Sequence, residues 1–399
     1  MSKVKDIAVN YVHDNTSNIG SPYKTVHNAT LVTKNSRGNH ELRHQATVSY
    51  YTTSSQLRNS SKTGDVVIPR QSRVIDTTRW GRNTGNRTDQ PKTYSSTSGK
   101  HKPIMYVRSI HPMHIDLRTH VRRKIEEGID IGVIPINQHP FKYLHSPPEC
   151  DFGPTSDSFN LLILVKSSNH HVVIRDSIRK SWGNLTNIMN VKVMFLIAYK
   201  QSTQTDIDKE ATSSSDIIQE DFIDAYKNNT LKTIMGFNWA VEKCSQADLL
   251  FFVDDDHIIR IANVMAYLRT FNRNQIKKTY VGFRIEKPQV DRRDGSPWGM
   301  SNYDFSHVLW PAYLRGGAFV VSSEIANRFV IAFPYVKLLS VDDSYLGIVA
   351  DKLGMLPQHD QRFKMDKVNL TVCPDYFVYN DYKTPQEIKS AWKTISLGT

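Results

Sequence analysis

The sequence predicts an α/β fold for residues 151–399, with an open, mostly parallel sheet flanked by helices. Three continuous apolar runs carry this prediction, because strands buried on both faces of a parallel sheet show no polar alternation. They cover residues 159–165, 191–198 and 249–253. Segments of helical character separate them, which is the order of βαβ units.

Residues 1–150 are basic, and we expect a largely disordered arm there. They hold 22 Lys and Arg against 11 Asp and Glu, whereas residues 151–399 hold 29 against 28. Residues 1–100 have too few apolar side chains to offset the entropy of ordering. A short basic helix over 115–129 and several prolines precede a domain boundary that we place near residue 150.

The further elements follow in order along the chain. Helices are predicted at 172–182, 231–244, 261–271, 323–333, 340–352 and 385–392. Ser323 serves as a cap for one of them, and Gly354 closes the helix that ends at residue 352. Strands are predicted at 216–219, 280–285, 368–373 and 376–379, and residues 314–322 are predicted as a glycine turn that runs into a strand. Residues 287–313 show no regular pattern and are predicted to form a loop.

Three carboxylates follow the apolar run 249–253 directly, as Asp254-Asp255-Asp256. Adjacent carboxylates disfavour one another's ionisation, and a divalent cation removes that conflict. Oxygen ligands suit Mn²⁺ or Mg²⁺, which commonly also hold substrate phosphates. Ligands of open α/β sheets gather at the carboxyl ends of strands, where this triplet is expected. An acidic loop tip without a ligand is the alternative.

Two further pairs are candidates for the same cleft. Gly316-Gly317 lets the backbone approach a ligand closely, or marks a tight turn before a strand. Asp342-Asp343 at a helix start complements the helix dipole, or supplies a general base for a sugar hydroxyl. Neither pair distinguishes its two interpretations by itself.

Arg175 and Arg179 are four residues apart and therefore share a helix face. Guanidinium groups suit bidentate contact with a diphosphate, although a solvated basic face is the alternative. The chain has neither a Walker lysine motif nor a Gly-x-Gly-x-x-Gly after a strand. Phosphate binding would therefore depend on a metal and on basic side chains.

The cysteines, the apolar segments and the Asn-x-Ser/Thr triplets limit which cellular locations fit the sequence. Cys150, Cys244 and Cys373 form no metal-site spacing and allow one disulfide with one free thiol. No run reaches the roughly 18 apolar residues of a membrane helix, and the N-terminus does not resemble a signal peptide. Seven Asn-x-Ser/Thr triplets permit a luminal location.

Six segments in register resemble the motifs of glycosyltransferase family 31, the inverting β-1,3-glycosyltransferases that use UDP-galactose, UDP-N-acetylglucosamine or UDP-N-acetylgalactosamine. The segments are 175–183, 216–222, 226–233, 254–256, 311–319 and 341–347. The first is similar to the family's Arg-x-x-Ile-Arg-x-Thr-Trp-Gly, and the last to its Glu-Asp-Val-Tyr-x-Gly. The resemblance covers about residues 159–390. It implies a GT-A fold, in which a Rossmann-like nucleotide half and an acceptor half share the domain 151–399.

The resemblance also implies roles for individual residues. Asp256 would be the main Mn²⁺ ligand, with Asp254 and Asp255 beside it near ribose and metal, and Asp343 would be the catalytic base. The residues expected near the UDP portion are Arg175, Arg179 and Lys232. Those expected to shape the sugar pocket are Trp298, Tyr313, Gly316 and Gly317.

The chain departs from the family pattern at several positions. Asp342 and Ser344 stand where the family has Glu and Val around the presumed base. Asp381 stands where the family usually has a metal-binding His, and we expect it as a further Mn²⁺ ligand. Leu314 replaces a Cys of many members. The family's N-terminal membrane anchor is not visible, so association with the Golgi membrane or lumen is expected from the family alone.

The function implied is transfer of a hexose or N-acetylhexosamine, galactose first, from a UDP-sugar donor to a glycan acceptor on a glycoprotein or glycolipid. A catalytically degenerate relative that binds a glycan or a partner is the first alternative, and Asp381 motivates it. Nucleic-acid binding through residues 1–150 is the second. That region lacks interleaved aromatics and any zinc or helix-turn-helix pattern, so we expect no nucleic-acid partner.

Overall fold

The computed structural model describes residues 9–11, 27–34, 41–48, 115–153, 159–185, 190–363, 370 and 373–397. Its contacts divide the chain into a unit of Met1–Ser98 and a unit of Gly99–Thr399. In the first unit, β1 (Val9–Tyr11), β2 (His27–Lys34) and β3 (Glu41–Val48) pair as an antiparallel sheet. These strands differ from the disorder expected for residues 1–100. The rest of that expectation lies outside the described residues.

The second unit is built on a mixed, mostly parallel sheet. The further strands, in chain order, are β4 (Tyr143–His145), β5 (Leu161–Lys166), β6 (Val191–Tyr199), β7 (Ile217–Ile223), β8 (Leu249–Asp254), β9 (Ile258–Ile259), β10 (Tyr280–Ile285), β11 (Tyr313–Ser322), β12 (Gln358–His359) and β13 (Val378–Tyr379). Eight strands form one sheet in the order β12-β10-β11-β8-β5-β6-β7-β4, and β9 pairs with β13. The neighbours β8, β5, β6 and β7 are parallel, whereas β11 runs antiparallel to β8. This sheet confirms the predicted α/β class.

Helices cover both faces of the sheet. In chain order they are α1 (Leu117–Glu127), α2 (Val172–Arg179), α3 (Gln204–Ser214), α4 (Asn229–Lys243), α5 (Ile261–Leu268), α6 (Arg273–Lys277), α7 (Ser323–Ala332), α8 (Asp342–Lys352) and α9 (Pro385–Leu397). The helices predicted after residue 150 are present, and α3 and α6 were not predicted. Among the described residues, no helix has the length and apolar character needed to cross a bilayer. The strand predicted at 368–373 lies mostly outside the described residues.

The central strand β5 shows why the apolar runs predict the sheet. All of its residues are buried, and successive side chains enter different layers. Leu162 and Leu164 pack in the layer with α1, α4, α7 and α8. Leu161, Ile163 and Val165 pack in the other, with α2, α5 and α9. Each fully buried side chain of this kind contributes about 1.5–3 kcal/mol to folding.

The second unit begins before the boundary predicted near residue 150. Leu117 and Val121 of α1 are buried in its core, and β4 pairs with β7 as the edge strand of the sheet. A disulfide joins Cys150 to Cys244 at the end of α4. Cys373 is free, which is the one-disulfide arrangement that the sequence allows. The prolines before residue 150 therefore break the local structure without ending the packed unit.

Candidate active site

A cleft of about 540 Å³ opens at the carboxyl ends of β5 and β8. Its lining includes seven residues that the sequence predicts for a site: Asp254, Asp256, Trp298, Tyr313, Gly316, Gly317 and Asp343. The carboxylates of Asp256 and Asp343 therefore share one cleft, although 86 positions separate them in the sequence. A metal site and a general base can act on one pair of substrates only in such an arrangement.

Lys166 ends β5 and places a buried ammonium group in the cleft. Because β5 pairs with β8, Lys166 lies beside Asp254, with its Nζ 3.0 Å from the Asp254 Oδ1. The same Nζ donates to the Asp342 carboxylate at 2.9 Å and to the Gly316 carbonyl at 3.0 Å. The Thr233 hydroxyl donates to the same Asp342 oxygen at 2.9 Å. Lys166 thus joins β8, β11 and α8 and offsets the charge of two carboxylates.

A candidate metal group lies directly after β8. Asp254, Asp256 and His257 each offer one ligand atom, and these atoms lie within 4.8 Å of one another. His257 is buried, and its Nδ1 is 2.6 Å from an Asp256 carboxylate oxygen. Burial raises the pKa of Asp254 even though Lys166 opposes the shift, and a bound cation would favour the ionised form. Carboxylate and imidazole donors at this spacing fit a divalent cation.

Asp255, the middle carboxylate of the triplet, turns away from the cleft. It is buried and accepts a hydrogen bond from Ser167 Oγ at 2.6 Å. Its other neighbour is His171, whose Nδ1 lies 2.7 Å from the same carboxylate oxygen. Asp254 and Asp256, by contrast, both line the cleft.

Asp381 is not a member of the Asp254, Asp256 and His257 group. Its carboxylate pairs with the Lys383 ammonium at 2.5 Å. The segment around it nevertheless lies against the triplet, because the amide of Tyr382 donates to the Asp256 carbonyl at 3.0 Å. Within the part of the chain that the structure describes, the imidazole grouped with Asp254 and Asp256 is that of His257, which the sequence motifs do not single out.

Asp343 lies in the first turn of α8 and faces β11. Its carboxylate accepts hydrogen bonds from the amide of Ser344 at 2.6 Å and the amide of Gly316 at 3.3 Å. Burial, together with the charge of Asp342, raises the pKa of Asp343 to about 7. A carboxylate with a pKa near the working pH can take a proton from a hydroxyl group and release it again.

Gly316 and Gly317 lie inside β11, so the predicted glycine turn before a strand is wrong. Neither has a left-handed φ. A Cβ built on Gly316 would come 3.1 Å from the Cβ of Asp343 and 3.4 Å from Oδ1 of Asp342. Gly316 therefore allows a close approach between β11 and the start of α8. The approach of a ligand to the glycine pair stays a prediction.

Arg175 and Arg179 lie behind the cleft, and their bidentate partners are carboxylates of the chain itself. Arg175 is fully buried and donates to the two oxygens of Glu210 at 2.8 and 2.6 Å. Arg179 donates to the two oxygens of Asp216 at 2.7 Å each. The contact with a diphosphate that the sequence predicts for these two guanidinium groups is replaced in this structure by pairing with α3 and with the residue that precedes β7.

Lys232, the third basic residue expected near UDP, also lies behind the cleft. Its Nζ donates to the Ser167 carbonyl at 2.7 Å and to the Asp224 carboxylate at 2.9 Å. The same carboxylate accepts the amide of Asn169 at 3.0 Å. Lys232 therefore holds the loop that follows β5.

Sequence reasoning missed Lys166 and His257, and each left a signal. Lys166 ends an apolar strand beside a strand that ends in Asp254, so the pair is visible once the two strands are taken as neighbours. His257 follows the triplet directly, and imidazole is a common metal ligand.

Comparison with known proteins assigns the chain to a family. The profile of the family described as Galactosyltransferase matches residues 174–361. The chain is 27% identical over 288 residues to Beta-1,3-galactosyltransferase brn of Drosophila melanogaster, covering 71% of this chain and 88% of that protein. It is 30% identical over 244 residues to Beta-1,3-galactosyltransferase 9 of Homo sapiens, covering 60% of this chain and 66% of that protein.

Among solved structures, the galactosyltransferase LgtC in complex with donor and acceptor sugar analogs matches with a TM-score of 0.34 and 10% identity. The match covers 58% of this chain and 95% of that chain.

Proposed function

Since this chain belongs to glycosyltransferase family 31, and is thus a glycosyltransferase, we propose that it is an inverting β-1,3-glycosyltransferase. It would move a hexose or N-acetylhexosamine, with galactose as the first candidate, from a UDP-sugar to a glycan acceptor on a glycoprotein or glycolipid. The observation that carries the proposal is the cleft that holds both Asp256 and Asp343. We place the reaction in the Golgi by the family resemblance.

The donor would lie over the carboxyl end of β8. Asp254, Asp256 and His257 would hold Mn²⁺, the divalent cation that we propose for this site. Bound there, the cation would neutralise the diphosphate and make UDP a better leaving group. Gly316 and Gly317 leave the floor of the cleft without side chains, so the donor sugar can approach β11 closely.

Asp343 would act as the general base. It would take the proton of the acceptor hydroxyl as that oxygen forms a bond to the anomeric carbon of the donor sugar. The bond from this carbon to the UDP oxygen breaks, and UDP leaves with the electron pair. One displacement from the opposite face converts an α-linked donor sugar into a β-linked product. The geometry that supports the role is the position of Asp343 beside Gly316, within the cleft.

A screen of UDP release tests the proposal. The purified chain with Mn²⁺ is offered UDP-galactose, UDP-N-acetylglucosamine and UDP-N-acetylgalactosamine, each with a panel of chromogenic β-glycoside acceptors. We expect one donor to give acceptor-dependent UDP release, and Asp343→Asn to abolish it while UDP binding, measured by calorimetry, survives. Full activity of Asp343→Asn would remove the base assignment.

The departure at Asp381 supports one rival, a family member that binds a glycan without turnover. The same screen separates the two functions. UDP-sugar binding together with no release on any acceptor would favour the rival, whereas transfer or slow donor hydrolysis would favour the enzyme.

A further inference from the structure

The loop of residues 286–312 between β10 and β11 forms one wall of the cleft. Its base is a short paired stem, in which the amide of Val290 donates to the Val308 carbonyl and the amide of Trp310 to the Pro288 carbonyl, both at 2.9 Å. An isolated bridge between Gln289 and Leu309 continues the pairing. The loop is therefore an ordered projection from the sheet.

The side chain of Arg292 fixes the tip of this loop. Its guanidinium donates to the carbonyl oxygens of Met300, Phe305 and His307, each at 2.7 Å. These carbonyls lie in a segment without regular secondary structure, so Arg292 supplies the partners that a helix or strand would otherwise provide. A planar fork of five N–H donors suits this task better than an ammonium group.

The segment held by Arg292 supports the lining of the cleft. Phe305 is fully buried, and its ring stacks on Trp310 with 4.2 Å between centroids. Trp310 lines the cleft together with Gln289, Asp291 and Trp298 of the same loop. Displacing the segment around Phe305 would therefore move the wall itself.

A second anchor ties the tip to the body of the unit. The Lys337 Nζ donates to the carbonyls of Tyr303 and Asp304, both at 3.2 Å, and lies 4.9 Å from the centroid of the Tyr303 ring. Arg292 acts inside the loop, and Lys337 acts between the loop and the segment after α7. The wall thus has a defined place relative to Asp343.

Two exposed aromatic side chains mark the mouth of the cleft. Trp298 of the loop is 54% exposed, and Tyr226 beside it is 60% exposed. Both line the cleft. Exposed aromatic faces of this kind offer an apolar surface with a polar edge, which suits a ligand that is itself partly apolar and partly polar.

We propose that this loop is the acceptor-binding wall, that the acceptor's sugar ring packs its C–H face on Trp298, and that Arg292 is the positioning residue that holds the wall. The inference rests on the proposed function. The metal group and β11 form the floor, where the donor's diphosphate and sugar belong. The second substrate must then reach Asp343 from the mouth, where Trp298 stands. This assigns Trp298, which the resemblance placed in the sugar pocket, to the acceptor's side.

The test measures the acceptor KM and the donor KM separately. It uses the donor and the chromogenic β-glycoside acceptor on which the wild type is most active. Arg292→Met should raise the acceptor KM and lower kcat/KM for the acceptor roughly tenfold or more, because a displacement of about 1 Å in the groups that position a substrate can cost on the order of 100-fold in rate. The donor KM, and UDP binding by calorimetry, should stay within about twofold. Arg292→Lys should recover part of the loss. Trp298→Ala, an exposed position that folding tolerates, should raise the acceptor KM in the same way.

Arg328→Met is the matched control, since its guanidinium pairs with Glu324 on the surface of α7. It should leave both KM values unchanged. Equal increases in donor and acceptor KM for Trp298→Ala would overturn the assignment of the wall to the acceptor. An unchanged acceptor KM in folded Arg292→Met would overturn the positioning role. A wild type without transfer on any donor would instead count against the proposed function.

Discussion

The carboxylate of Asp343 lies where burial and the neighbouring charge of Asp342 act in the same direction. Together they raise its pKa to about 7. As a general base Asp343 must be ionised, so kcat/KM should rise about tenfold per pH unit below pH 7 and level off above it. A pH profile between 5 and 9 measures this. A flat profile across that range would exclude Asp343 as the group that accepts the proton.

The same shift predicts how stability depends on pH. The folded-state pKa of Asp343 lies above the ordinary value of 3.8, so the folded chain retains a proton that the unfolded chain has released. Between about pH 4 and pH 7 its contribution to the unfolding free energy falls as pH rises. Asp343→Asn should therefore be more stable than the wild type at pH 8, by roughly 1 kcal/mol, and the difference should shrink at pH 5. Urea unfolding of the variant and the wild type at the two pH values measures this difference. A difference that is the same at pH 5 and pH 8 would contradict the predicted pH dependence.

The ion pairs of Lys166 allow us to predict how much unfolding free energy is lost when buried carboxylates are left without a partner. Its ammonium is 3% exposed and pairs with Asp254 and Asp342. Removing one partner of a buried ion pair costs about 3–5 kcal/mol, because the remaining charge is uncompensated. Lys166→Met should lose about that much unfolding free energy in urea titrations. Lys180→Met, at an exposed pair with Asp176, should change it by less than about 0.5 kcal/mol, and similar values for the two would refute the role given to Lys166.

At the scale of elements, the helix α8 packs closely against the start of β11 at Gly347. A Cβ on Gly347 would come 2.6 Å from the Cβ of Tyr313 and 3.1 Å from the Ala312 carbonyl oxygen. Gly347→Ala gains about 1 kcal/mol of helix propensity but forces α8 away from the strand. We expect a net loss of about 1–3 kcal/mol in thermal or urea unfolding, with a fall in kcat because Asp343 moves with the helix. A stabilised, fully active variant would show that the contact can relax.

The elements also show what local sequence can predict. The strands β5, β6 and β8 were found because burial on both faces produces an unbroken apolar run. The helix α3 was missed because it buries little, with Ile207 and Glu210 as its buried residues. The glycine pair was assigned to a turn because local sequence does not reveal that a helix lies against β11.

At the scale of the whole unit, one disulfide links the segment before β5 to the end of α4. Cys150 and Cys244 are 94 residues apart, so the bond restricts a long loop of the unfolded chain. Cys150→Ser should lower the unfolding free energy by about 2–5 kcal/mol, measured under non-reducing conditions. Cys373→Ser, at the free thiol, is the control and should have little effect. Equal stability of the two variants would contradict the role of the bond.

The residues of the candidate site likewise show what can and cannot be predicted from local sequence. Asp254, Asp256 and Asp343 were found because carboxylates stand out at strand and helix ends. The partners of Arg175 and Arg179 were not, because Glu210 and Asp216 lie tens of positions away and nothing in the local sequence pairs them with these arginines. The early start of the packed unit was missed for a related reason, since α1 is buried by elements that follow it far along the chain.

The stretch 373–397 has a consequence for how fragments of this chain should be judged. Tyr382 bonds the carbonyl of Asp256, β13 pairs with β9, and α9 packs against α2. The family profile ends at residue 361 and does not include this stretch. A product cut after residue 372 would therefore keep all of the residues that the family profile matches, yet lose the contacts that support the candidate metal group. Detection of the motifs alone is thus no guarantee that such a shortened gene product is catalytically competent.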